Sequence, residues 1–227
     1  MVSPDDLFTL PMYFDLGAVF VFALSGVVVA IRKGYDIVGM FFLALATGAG
    51  GGLIRDGLFL QQGPPLFATQ PAYLGMIVLA MLLGLMFGDH PFFNRRGVAI
   101  IDAAGIGGFA VVGIELSLAA GLGVPAALLV GIINGVGGSV IRDVLAGDPP
   151  LILRPGQFYA LAVVGGSGAY MAMTQWLDLA VALAGWLTIF ITFAIRMLSI
   201  EFNWSTRPVS REGWVRLLKR TRKQERK

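Results

Sequence analysis

Apolar residues run along this chain in long blocks, and short polar stretches between them hold most of the charge. About 18 consecutive apolar residues are enough to cross the hydrocarbon core of a bilayer as a helix. Seven such spans are predicted, at roughly 14–31, 37–60, 71–87, 98–119, 124–146, 156–174 and 179–199. The second and fifth are interrupted. One carries TGAGGGLIRDGL (47–58) and the other NGVGGSVIRDVL (134–145), each a glycine cluster followed by Ile-Arg-Asp inside an otherwise oily run.

Sliding the chain on itself by 87 residues superposes these two motifs and keeps register without a gap back to Asp15 on Asp102. Phe22 falls on Phe109, Ala23 on Ala110, Gly26 on Gly113 and Gly34 on Gly121. A double proline follows each motif, GPPLF at 63–67 and DPPLI at 148–152, after a slip of two residues. The pattern predicts a duplicated unit, repeat 1 over about 14–87 and repeat 2 over about 98–174, with a seventh helix at about 179–199. Three spans per unit is an odd number, so the second copy enters the membrane from the opposite side. The expected fold is therefore an all-α integral membrane protein with two inverted three-helix repeats, an architecture that puts functional sites on discontinuous helices near the midplane.

Each glycine costs a helix roughly 1 kcal/mol relative to alanine. Five residues such as GAGGG or NGVGG thus predict a break or kink in helices 2 and 5, and backbone groups freed by it would need protein or water to satisfy them. Arg55 and Arg142, in the same spans, each cost about 2.5–3.5 kcal/mol at the bilayer centre unless they face a partner in the bundle. Depth in the inverted topology makes Asp15 the partner expected for Arg55 and Asp102 the one for Arg142. Asp56 and Asp143 are expected to point away from their neighbouring arginines, because adjacent helical residues do not share a face. The alternative reading of the glycines is close helix packing, and of the arginines, structural pins that never meet a solute.

Composition agrees with the pattern. The 227 residues are 56% hydrophobic and 14% charged, against about a quarter charged in soluble domains. Arg32, Lys33, Arg95, Arg96, Arg154 and the tail from Arg207 to Lys227 fall in connections on one side, whereas the acidic N-terminus and the other connections carry no basic residue. The positive-inside rule then puts the N-terminus outside and the C-terminus in the cytoplasm, in the inner membrane of a cell. Arg196 sits where its side chain would snorkel to the cytoplasmic surface. The domain organisation is a single transmembrane domain over 1–200 and a basic cytoplasmic tail over 201–227, in which Trp214, Leu217 and Leu218 share a helical face that either binds anionic lipid or is simply solvated.

Several chemistries are excluded or disfavoured. There is no cysteine and one histidine, His90, so thiol catalysis and Cys/His metal sites are not expected. The net charge of +3 lies in loops and tail, which gives no nucleic-acid surface. The Tyr35-Asp36 and Leu145-Ala146-Gly147-Asp148 stretches are near an intramembrane aspartyl-protease pair, but leucine stands where that motif needs glycine and both aspartates fall at helix ends. No enzyme is expected, nor any cofactor. The glycines of GIGGFAVVG (105–113) match a dinucleotide fingerprint only by chance, since no strand precedes them.

The doubled GG-x-x-I-R-D motif in paired three-helix repeats, with a seventh helix and a basic tail, resembles the prokaryotic branch of the trimeric intracellular cation (TRIC) channel family. The resemblance runs from about Asp15 to Arg196. It implies a homotrimer in membrane lipid, with one pore per subunit lined by helices 2 and 5 and passing monovalent cations, chiefly potassium. The pore and kink positions it implies are Thr47, Gly48, Gly50, Gly51 and Gly52 with Asn134, Gly135, Gly137, Gly138 and Ser139; serine replaces the third glycine of the second motif. Arg55, Asp56, Arg142, Asp143, Asp15 and Asp102 are the candidate pore charges or gating groups. The same bacterial repeat also carries a glycine-transporter name, so a secondary transporter of glycine or another small solute is the alternative.

Overall fold

The computed structural model describes residues 4–88, 90, 91, 93–153, 158–202 and 204, with only the backbone for 4–11 and 95. The expected basic tail and Arg154 lie outside the described residues. Among those residues the chain is all-helical: α1 (Pro4–Lys33), α2 (Ile37–Ile54) continued by a π-helical turn (Arg55–Leu60), a short α3 (Leu66–Thr69), α4 (Pro71–Phe87), α5 (Arg95–Ala119), α6 (Val124–Leu145), α7 (Tyr159–Gln175) and α8 (Val181–Glu201). Five helices are long and apolar enough to cross a bilayer, namely α1, α2 with its π turn, α5, α6 and α8. The helices α4 and α7 have 17 residues each, or about 26 Å of rise. This is a multi-pass membrane protein. Helix α1 starts about ten residues before the expected span, because the acidic and polar N-terminal residues are compatible with helix though not with hydrocarbon.

The ends of the helices show the duplication locally. The turns after α1 and α5 each use a glycine of positive φ, Gly34 at 72° and Gly121 at 84°, a conformation in which a Cβ would be strained. The caps do not follow the repeat: Asp36 caps α2 by accepting from Gly39 N at 2.7 Å, its equivalent before α6 is Gly123, which makes no side-chain cap, and Asn94 caps α5 by accepting from Arg96 N and Gly97 N.

Helices α1 and α5 form the centre and run antiparallel, with Phe14 and Ala18 beside Gly108, Phe22 beside Gly105, and Val29 near Val98 and Ala99 around one cavity. At their midpoint Phe22 and Phe109, which are equivalent in the repeat, meet edge to face at 5.0 Å and are fully buried. The glycines of α5 serve its neighbours: a Cβ on Gly105 would strike the Phe22 ring, on Gly107 the Ile189 backbone of α8, and on Gly113 the Gly131 backbone of α6. Small residues that let backbones approach are the usual basis of helix packing in lipid.

The expected breaks in helices 2 and 5 are not found. Helix α2 continues through Gly50–Gly52 to Ile54, and α6 through Gly137–Ser139 to Leu145. Opening a backbone in hydrocarbon costs several kcal/mol per unsatisfied group, more than glycine's helix penalty, so the ladder holds. What the glycines provide is a crossing of α2 over α6. A Cβ on Gly137 would lie 3.2 Å from Gly51 Cα, one on Gly51 would overlap Asn134 O, and one on Gly138 would overlap Thr47 O. The departure from α geometry falls after the glycines and in one copy only, in the π turn Arg55–Leu60. That turn inserts a residue, so the left-handed position comes at Gln61 in the first copy and at Gly147 in the second. It accounts for one of the two residues by which the repeat slips before the double prolines.

Gly138→Ala is expected to destabilise the purified protein by about 1–3 kcal/mol through overpacking at the crossing, whereas Gly17→Ala, with nothing within 4 Å of the new Cβ, should be neutral or stabilising. Thermal unfolding in detergent checks both. Equal shifts would mean that the crossing is not sterically tight.

Candidate functional site

Each motif arginine is buried, 1% exposed, and is gripped by two carboxylates. Arg55 donates from Nη1 and Nη2 to the two oxygens of Asp15, both at 3.3 Å, and from Nε to Asp56 Oδ1 at 2.6 Å. Arg142 donates from Nη1 to Asp102 Oδ1 at 2.7 Å and from Nη2 and Nε to Asp143 Oδ1 at 2.8 and 3.0 Å. The pairs Asp15–Arg55 and Asp102–Arg142 are those expected from depth. The second expectation is corrected: Asp56 and Asp143 do not point away. Their Cβ atoms leave the helix in a different direction from the arginine's, but the long arginine stem folds back so that its guanidinium covers the neighbouring carboxylate.

Those second carboxylates have another task. Asp56 Oδ2 accepts from Arg55 Nη2 at 3.2 Å and also from Leu66 N at 3.0 Å, and the remaining oxygen of Asp143 accepts from Leu151 N at 3.0 Å. Both amides directly follow the double prolines. Each motif therefore ties its own arginine to the loop that enters the next helix, which explains why GPPLF and DPPLI accompany the glycine motifs.

Sequence reasoning missed four participants. Tyr73 on α4 donates its hydroxyl to Asp15 Oδ2 at 2.6 Å. Its counterpart on α7, Tyr159, instead shares a 2.6 Å hydrogen bond with Ser139 Oγ. Ser25 Oγ accepts from Arg142 Nη1 at 2.7 Å. The fourth, Arg196 of α8, does not snorkel: it is 1% exposed and lies over the Tyr159 ring, 4.8 Å from its centre. A cation on an aromatic face needs less water than a bare one. The signal for the tyrosines was their position, eight and nine residues after the second proline of each doublet. Nothing in the repeat marked Arg196, which lies beyond it.

Of the glycine-motif residues, Thr47 Oγ1 bonds back to Leu43 O at 2.5 Å and Asn134 Nδ2 reaches Phe109 O at 2.6 Å, both fully buried. Gly48 packs on α1 at Val19 and Ala23, and Gly135 on α5 at Ile106 and Ala110. A Cβ on Gly52 would lie 3.5 Å from Arg55 Nη2. The two clusters open toward opposite ends of the α1–α5 pair. Asp15, Tyr73 and Gln70 line an otherwise apolar cavity of about 290 Å³ at one end. At the other, Arg142 and Asp143 lie at the floor of a cavity of about 770 Å³ whose walls include Arg32, Lys33, Arg96, Asp148 and Glu201. Between them Phe22, Phe109 and the glycine crossing are packed.

The two carboxylates at the helix ends, Asp36 and Asp148, have structural roles. Asp36 is the cap of α2, and Asp148 pairs with Lys33 at 3.0 Å.

Comparison with known proteins supplies the class. A family model described as Glycine transporter matches residues 12–89 and 99–175, two stretches whose starts differ by the repeat length of 87. A UPF0126 membrane protein of Deinococcus radiodurans is 37% identical over 206 residues, covering 90% of this chain and 89% of its own. The UPF0126 inner membrane protein YadS of Escherichia coli is 30% identical, covering 84% of this chain and 92% of its own. In structure the chain is similar to the TRIC trimeric intracellular cation channel orthologue from Rhodobacter sphaeroides, with a TM-score of 0.79 at 31% identity over 86% of this chain and 98% of that one. The fold is thus that of a TRIC-type membrane protein. The chain belongs to the UPF0126 membrane-protein family, the prokaryotic branch of the TRIC channel fold.

Removing one partner of a buried ion pair costs about 3–5 kcal/mol, much of it from the charge left behind. Arg142→Ala and Asp102→Ala are each expected to destabilise in this range, and the double variant by clearly less than the sum. A double-mutant cycle on detergent-solubilised protein measures this coupling. Additive losses would separate the two side chains energetically.

Proposed function

We propose that this chain is a monovalent cation channel, chiefly for potassium, that works as a homotrimer with one pathway per subunit beside the α2–α6 crossing. The observation that carries the reading is the pair of repeat-related Arg–Asp clusters, each adjoining a cavity, with the packed Phe22–Phe109 contact and the glycine crossing in the interior of the bundle. The similarity to a cation channel over almost its whole length supports it. In this reading the path is closed at the crossing and opens when α2 and α6 part at glycines that hold no side chain between them.

The finer topology belongs to the same proposal. Helices α1, α2, α4, α5, α6, α7 and α8 make seven spans, and the antiparallel α1–α5 pair makes the repeats inverted. The N-terminus is outside and the C-terminus cytoplasmic, following the basic connections. The Arg55 cluster then lies toward the outside and the Arg142 cluster toward the cytoplasm. One transmembrane unit over 1–200 and a basic cytoplasmic tail over 201–227 belong to the same proposal.

A secondary transporter of glycine or a similar solute is the second reading, favoured by the packed barrier between two cavities, which alternating access also requires. Planar bilayers separate the two. Unitary potassium currents from purified protein are expected; slow saturable glycine flux without them would establish the transporter. Given currents, Arg55→Ala and Arg142→Ala should each change unitary conductance or open probability in variants that retain the wild-type oligomer by native mass spectrometry. Wild-type currents from both would reduce the arginines to structural pins.

A further inference from the structure

The two clusters are equivalent in sequence but not in charge. Around Arg55 there are two carboxylates, Asp15 and Asp56, for one guanidinium. Around Arg142 there are again two, Asp102 and Asp143, but here α8 adds Arg196, within electrostatic reach of Asp102. The hydrogen bonding differs in the same sense. In the first cluster the second oxygen of Asp15 takes the Tyr73 hydroxyl. In the second, Tyr159 has turned to Ser139 and carries Arg196 on its face, while Asp102 Oδ2 has no hydrogen-bond partner among the described residues and is fully buried.

The cavities extend the imbalance. The residues lining the 770 Å³ cavity include Arg32, Lys33, Arg96 and Arg142 against Asp143, Asp148 and Glu201, with Lys33 paired to Asp148 and Arg96 to Glu201. Basic side chains outnumber acidic ones there by one. The 290 Å³ cavity has Asp15 as its single charged lining residue. A cation entering at the Arg142 end thus meets a site of balanced or positive charge, and one at the Arg55 end meets a surplus carboxylate.

We propose that Arg196 is a positioning residue that neutralises the Arg142 cluster and so leaves the Arg55 cluster, with its surplus carboxylate from Asp15 and Asp56, as the cation-selecting end of the path. This rests on the channel reading above. Helix α8 is then not an appendage to the repeats but the element that makes a near-symmetric pathway electrically polar. One further polar group of α8 fits that setting: Ser199 Oγ accepts from Phe158 N at 2.8 Å, fixing α8 against the start of α7 where Tyr159 follows.

The test is single-channel recording in planar bilayers. Arg196→Gln gives the Arg142 end its own surplus carboxylate and is expected to change the ratio of potassium currents at equal voltages of opposite sign by at least about twofold, the effect of one charge at close range in water. Arg196→Lys, which keeps the charge, should retain the wild-type ratio. Asp56→Asn, which removes the surplus at the other end, should lower potassium-over-chloride selectivity in a salt gradient by a similar factor, and Asp143→Asn by less. An unchanged current ratio in a correctly assembled Arg196→Gln variant would overturn the inference while leaving the channel intact. Should Arg196→Gln fail to assemble, equal selectivity losses from Asp56→Asn and Asp143→Asn overturn it instead. Absence of any unitary current from the wild type would remove the channel reading itself, and the inference with it.

Discussion

A guanidinium in hydrocarbon must be given a counter-charge, and much of this structure follows from doing so twice. Arg55 and Arg142 each take two carboxylates, one from a distant helix and one from the adjacent position. The distant carboxylate binds α2 to α1 and α6 to α5. The adjacent one continues to the amide after the double proline and fixes the chain's entry into the following helix. One buried charge thereby sets the relation of three elements in each repeat. In a medium that offers no hydrophobic force between helices, such polar contacts and close packing are what remain to hold them.

Close packing is supplied by the glycines, and their role is where local reasoning goes wrong. Read as helix breakers, GAGGG and NGVGG predict open backbone; in water that would be a fair inference, because solvent takes up the freed groups. In lipid the balance reverses, and the helix stays continuous while the missing side chains become a surface for the facing helix. The same composition thus has opposite consequences in the two solvents. The departure from α geometry within the motif helices, the π turn at Arg55–Leu60, left only an indirect mark: the slip of the repeat register before the prolines.

Pairing over distance was legible because the repeat supplied it. Once Asp15 is aligned with Asp102 and Arg55 with Arg142, topology alone puts each acid at the depth of its base. What stayed hidden are contacts that depend on side-chain reach or on asymmetry. Arginine's stem spans more than one helical position, so a rule about adjacent residues, valid for short side chains, fails for Asp56 and Asp143. Tyr73 and Tyr159 occupy equivalent places yet bond differently, and only the three-dimensional position of α8 explains why. Arg196 looked like a surface-seeking residue because its place near a helix end was visible and the aromatic face beneath it was not.

Duplication makes two halves alike, but a chain of three-helix repeats with one helix more cannot stay symmetric. Helix α8 packs mainly beside α5 and α7, and it reaches the first repeat at Phe14, whose ring meets Trp186 at 5.1 Å. Its buried arginine, Arg196, lies over Tyr159 of the second repeat, so the carboxylate pair of the first repeat stays in excess of its single guanidinium. A membrane-crossing path assembled from equal halves would offer an ion the same environment from either side. Adding one helix to one half removes that equivalence at the smallest structural cost, since neither motif, neither glycine crossing nor either proline loop has to change.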